Sequence, residues 1–112
     1  MKGYKLTNTD GTVFAYFNDK DLANTSAGQH FALRGTMLKM EEVELPAFKV
    51  EYYDLIARGE EIGFEADSIE QLKIDAMDYA EHNNIDLNDE DAQSVAFGYD
   101  EHDNEVFVLE AL

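Results

Sequence analysis

The sequence predicts an α+β domain, a mainly antiparallel sheet of about five to six strands with one principal helix near residues 68–83 packed on it. Three observations predict it. Short runs rich in aromatic and β-branched residues recur between turn residues. One segment carries apolar residues at helical spacing behind a capping sequence. The 112 residues are 45% hydrophobic, with seven Phe and six Tyr, so the chain can fill one core and reads as a single acidic domain spanning residues 1–112.

Residues 2–7 and 12–17 read as a hairpin. Tyr4 and Leu6 alternate with polar neighbours, residues 13–17 are β-prone, and Asn8-Thr9-Asp10-Gly11 supplies the turn. Residues 18–28 read as a loop or short helix, punctuated by Ser26-Ala27-Gly28. Residues 37–45 read as a strand after an interruption at Arg34-Gly35. Residues 48–57 read as a strand whose apolar parity switches near Tyr52-Tyr53, the signature of a bulge. A helix opened by Pro46 and closed by Gly59 competes with that reading. The strand is preferred because Gly59-Glu60-Glu61 makes a turn into a return strand at residues 62–66.

The principal helix has the clearest signal. Asp67-x-x-Glu70 and Ser68-x-x-Gln71 both fit a capping box. Ile69, Leu72, Ala76 and Ala80 form one stripe, with Met77 and Tyr79 at its margins, and Asn83-Asn84 ends it. An acidic loop follows at residues 85–91. A terminal hairpin closes the chain, with strands at residues 94–99 and 105–109 and a turn over residues 100–104. Residues 106–109 are apolar on both faces, as expected of an interior strand.

Charge narrows the function. The chain has 25 acids against 8 Lys and Arg, a net charge of −17. Such a field repels DNA, RNA and anionic lipid, so neither direct nucleic-acid binding nor membrane binding is expected. The distribution is lopsided. Residues 1–40 hold five cations against three acids, whereas residues 41–112 hold three cations against 22 acids. Lopsided charge of this kind marks an oriented contact more than a solubilising coat. The absence of cysteine fits a reducing compartment. The amino terminus enters a strand pattern with no apolar signal core, and no stretch is long enough to span a bilayer. A cytoplasmic location is therefore expected.

The chemical motifs are few. Asp86-x-Asn88-x-Glu90 and Asp100-x-His102-x-Asn104 resemble the start of a calcium loop. That loop needs Gly at its sixth position and Glu at its twelfth. The first offers Asp91 and Phe97, and the second offers Glu105 and Ala111. Solvated acidic loops are the simpler reading, and no metal or other cofactor is expected. His30, His82 and His102 are scattered and form no ligand pair. Close carboxylate pairs follow from abundance alone. No nucleophile elbow, phosphate loop or dinucleotide fingerprint is present. The reading is therefore of a protein that is not an enzyme.

One departure from a bland surface lies on the principal helix. A 100° step puts Gln71, Asp75, Asp78, Glu81 and His82 opposite the core stripe, with Ile74 among them. Ile74 is an isolated exposed isoleucine, a residue buried under a loop, or the apolar centre of an acidic interface. The expected partner-binding set is Ile74, Asp75, Asp78 and Glu81 on the helix, Asp86, Asp89, Glu90 and Asp91 in the loop, and Asp100, Glu101 and Asp103 in the terminal turn. The loop and turn acids are expected to be solvated.

In size and charge the chain resembles the phage- and plasmid-borne DNA mimics that block restriction enzymes or CRISPR effectors. That resemblance is one of composition and carries no residue motif. It implies a non-catalytic inhibitor whose carboxylates occupy the basic cleft of a nucleic-acid-binding protein such as a CRISPR effector, a restriction enzyme or another nuclease. The alternative is an acidic adaptor or immunity-type protein that neutralises a different basic partner without mimicry. An enzyme with an unrecognised site is a third possibility, which would require a concave pocket with convergent polar groups.

Overall fold

The computed structural model describes residues 1–57, 60–84 and 92–112. Along the chain lie β1 (Lys2–Thr7), β2 (Val13–Phe17), α1 (Lys20–Arg34), β3 (Lys39–Glu44), β4 (Phe48–Ala57), β5 (Glu60–Glu61), α2 (Ile69–His82), β6 (Ala92–Asp100) and β7 (Glu105–Ala111). Hydrogen bonds order the strands β3-β1-β2-β7-β6-β4-β5. Among the register-matched pairs, β1 runs antiparallel to β2 and to β3, β4 antiparallel to β5, and β2 parallel to β7. The fold is therefore α+β with a mostly antiparallel sheet, as the sequence predicts. The chain divides into two compact units, Met1–Lys49 with Gly98–Phe107, and Val50–Phe97 with Val108–Leu112.

In the first unit, the β1–β2 hairpin closes through Asn8. Its N–H donates to the Thr12 carbonyl, and its own carbonyl accepts from Gly11. Gly11 sits at φ +88°, where a side chain would be strained. Alternation along the hairpin sends Leu6, Ala15 and Phe17 inward, where they meet Ala23 of α1 with Leu22, Ala27, Met40 and Phe107 around them. Phe17 and Phe107 stack with ring centroids 5.1 Å apart. Each large apolar side chain buried here contributes about 1.5–3 kcal/mol. Where β6 belongs to this unit, a Cβ on Gly98 would lie 2.0 Å from the Lys49 carbonyl oxygen. Only glycine permits that approach.

Helix α1 runs for 15 residues, more than the loop or short helix read from residues 18–28. Its start is chemically marked: the Asp19 carboxylate accepts from the Leu22 N–H at 2.9 Å. Gly35, at φ +71°, ends it and donates to the Phe31 carbonyl. Between the caps the apolar stripe is thin, and only Ala23 is fully buried. Packing on β1 and β2 outweighs the low helix propensity of Thr25, Ser26 and Gly28.

In the second unit, Leu55, Ala66, Leu72 and Ala76 form the core, flanked by Tyr53, Ile62, Phe64 and Leu112. In β4, exposure alternates from Phe48 to Tyr52, then Asp54 and Leu55 are buried in succession. The return strand expected at residues 62–66 is instead the two-residue β5. Residues 62–65 form no strand, since Gly63 at φ +81° breaks the extended backbone, but bonds at either end still hold the segment to β4. The Ile62 N–H donates to the Leu55 carbonyl, and Tyr53 and Ala66 exchange both backbone bonds. The turn expected at Gly59 falls outside the described residues. Helix α2 matches its prediction: Ser68 Oγ accepts from the Gln71 N–H at 3.1 Å, and Asn84 adopts φ +52° just past the end. Among the described residues, no helix is long and apolar enough to cross a membrane.

Candidate functional site

Helix α2 buries Leu72 and Ala76 and leaves Ile69, Tyr79 and Ala80 half-buried. The opposite side is open to solvent. Ile74 is 54% exposed and Met77 is 73% exposed. Glu70, Asp78 and Glu81, all exposed, surround them at helical spacing, with a single cation, exposed Lys73, beside them. A surface isoleucine alone is ordinary, but two large apolar side chains inside an acidic rim have the composition of an interface centre. Sequence periodicity identifies Ile74, Asp78 and Glu81 but misses Glu70 and Met77. In sequence, Glu70 reads as a capping residue and Met77 as a margin of the core. The same 100° step puts Glu70 within about 40° of Ile74, whereas Met77 stays at the margin of the stripe and only its exposure marks it as part of the face.

Asp75 stands apart from this crest. It is half-buried, and its carboxylate accepts from Gln71 Nε2 at 3.0 Å. With Phe64, Asp78, Tyr79, His82 and Asn83 it lines a shallow groove of about 400 Å³ beside the helix. Phe64 and Tyr79 meet edge to face at 5.8 Å. His82 Nδ1 lies 2.8 Å from the Asp78 carbonyl oxygen, and Asn83 Nδ2 donates to the Tyr79 carbonyl. The polar groups of the groove therefore largely serve the helix end. No group of three His, Asp or Glu side chains is arranged to hold a metal among the described residues.

The position of Glu81 runs against helix electrostatics. It lies in the last turn of α2, where the unsatisfied carbonyls already carry partial negative charge. A carboxylate there costs about 0.3–1 kcal/mol.

The terminal turn divides the acids assigned to it. Glu101 and Asp103 are exposed, and Asp103 takes a positive φ of +60°. Asp100 corrects the sequence reading, because it is only 8% exposed rather than solvated. One carboxylate oxygen accepts from the His102 N–H at 2.9 Å and the Asn104 N–H at 2.8 Å, and the other from Asn104 Nδ2 at 3.1 Å. Burial by itself would raise its pKa. The donors from Asn104 and His102, with the nearby His102 charge, outweigh it and hold the carboxyl below the ordinary aspartate value. Asp100 thus builds the turn and is not a surface contact. Asp86, Asp89, Glu90 and Asp91 lie outside the described residues.

Between β1 and β3 the acids are matched. Cross-strand register sets β1 lysines against β3 glutamates, with Lys2 Nζ 2.9 Å from Glu42 and Lys5 Nζ 3.4 Å from Glu41. Glu44 pairs with the amino terminus. The acids of the α2 face have no such partner strand, so the lopsided charge of the sequence has a local counterpart. Comparisons with protein-family models, curated proteins and solved structures gave no match.

Proposed function

We propose that the protein is a non-catalytic inhibitor whose acidic α2 face, with the acids of residues 85–91 that follow it in sequence, occupies the basic cleft of a nucleic-acid-processing protein in place of nucleic acid. One observation carries the reading. Exposed Ile74 and Met77 sit within a rim of exposed Glu70, Asp78 and Glu81, which outnumber its one cation, Lys73. Asp78 and Glu81, on successive helical turns, stand about 5–6 Å apart, a spacing suited to Lys and Arg side chains arranged to meet phosphates. Glu70 lies about 12 Å further along the axis. The apolar pair supplies desolvated contact that charge alone does not. Placement of Glu81 in the last turn, against the dipole, fits a residue kept for binding and not for stability. A CRISPR effector, a restriction enzyme or another nuclease has the required cleft chemistry. Such a protein works in the cytoplasm and needs no cofactor.

The test is affinity capture from the native host, followed by competition between duplex DNA and this protein for the captured partner. The helix set (Glu70→Gln, Asp78→Asn, Glu81→Gln) and the turn set (Glu101→Gln, Asp103→Asn) are compared with the parent. The helix set should bind more slowly and with a shallower salt dependence, while keeping its fold. Single substitutions change affinity little, because an exposed pair contributes about 0–1 kcal/mol. If both sets bind and inhibit like the parent, the acidity only solubilises and the reading fails. A partner that binds DNA and this protein at once identifies a neutralising adaptor instead of a mimic.

A further inference from the structure

The longest acid-free run of the sequence, residues 22–40, covers most of α1 and the approach to β3. On a chain of net charge −17 this is the surface where two like molecules meet without opposing carboxylates. It is also where apolar side chains are left uncovered: Phe31 is 52% and Met37 75% exposed. Ala27, Gly28, Phe31, Met37 and Leu38 line an apolar groove of about 250 Å³. A Cβ built on Gly28 meets nothing within 4 Å, so packing inside the molecule gives no reason for a mid-helix glycine there. Asn24, Gly28, Phe31 and Gly35 are all exposed and fall four, three and four residues apart, along one line of the helix.

We propose that this face is a homodimer interface in which α1 of one copy packs antiparallel on α1 of a second, each Phe31 seated over Gly28 of the other. An axis between residues 29 and 30 produces that exchange and sets Asn24, a polar residue at the rim, opposite Gly35. Charge favours the same arrangement. The first turn of α1 carries Asp21 and its last turn carries Arg34, with Lys39 just beyond. Antiparallel packing brings each acidic start toward the basic end of the other copy and opposes the two helix dipoles favourably. A basic partner would meet Arg34 and Lys39, and an anionic membrane would meet the net charge of −17. A second copy carries the same net charge, but at this face it presents an acid-free run, and its Asp21 answers Arg34.

Sedimentation equilibrium over a range of protein and salt concentrations tests the proposal. The parent should pass from one copy to two as concentration rises. The transition should move to lower concentration as salt screens the charge that the two copies share. Phe31→Glu and Met37→Glu, at exposed positions, should sediment as single copies with an unchanged circular dichroism spectrum. Met77→Glu on α2 should dimerise like the parent, which separates this interface from the inhibitory face. A single copy at every condition overturns the proposal, as does a dimer that survives both α1 substitutions. Monomers that bind anionic vesicles through Phe31 also overturn it, assigning the face to lipid.

Discussion

Asp100 shows how one residue escapes a reading based on composition. In a turn of five polar residues, sequence gives no means of telling the acid that builds the loop from those that decorate it. The distinction lies in three donors, from Asn104 and His102, that converge only once the hairpin has closed. Asp54 is similar, a buried acid of β4 whose carboxylate accepts from the Leu55 N–H at 2.8 Å. Asp100→Ala should therefore destabilise the domain by about 1 kcal/mol in urea unfolding, because it removes the acceptor of three part-buried hydrogen bonds. Glu101→Gln should be close to neutral. The pH dependence follows from the lowered pKa of Asp100. Its contribution is complete above the ordinary aspartate range and is lost as pH falls through the lower folded value. In an acid titration monitored by circular dichroism, Asp100→Asn should lose less stability than the parent over that interval.

At the scale of elements, legibility follows the strength of the local signal. Helix α2 is readable because a capping box, a four-residue apolar stripe and a tolerant asparagine end all agree. Helix α1 is only half-readable because its inward face is mostly small residues, and its stability comes from the sheet beneath. Its Asp19 cap and Gly35 stop are present in the sequence, but Ser26-Ala27-Gly28 mimics a turn. The two sides of α2 allow a direct comparison. Leu72→Ala should cost about 2–5 kcal/mol, since Leu72 is fully buried and leaves a cavity. Ile74→Asp, at a site 54% exposed, should change the unfolding free energy by less than about 0.5 kcal/mol while weakening capture of the partner. Loss of fold in Ile74→Asp would return that residue to the core and remove the apolar centre of the proposed face.

At the scale of the molecule, the charge imbalance is fully visible in the sequence, whereas its placement is not. Pairing across β1 and β3 neutralises one group of acids, and the α2 face keeps its own. The net of −17 still repels itself, so the melting temperature should rise from low to moderate salt in calorimetric scans. A flat or falling trend would mean that local pairs already compensate the charge.

Strand β3 has a further consequence, because it ends the hydrogen-bonded order of the strands. The last strand of an open sheet offers unpaired backbone groups to any extended chain and is the usual seed of fibrous polymer. Here that border carries exposed Glu41, Glu42 and Glu44, held in register by the lysines and amino terminus beside them. An incoming strand of the same protein would have to stack its own three glutamates against these. The ion pairs contribute little to holding the sheet together. Their larger effect is to keep its border closed to templated growth.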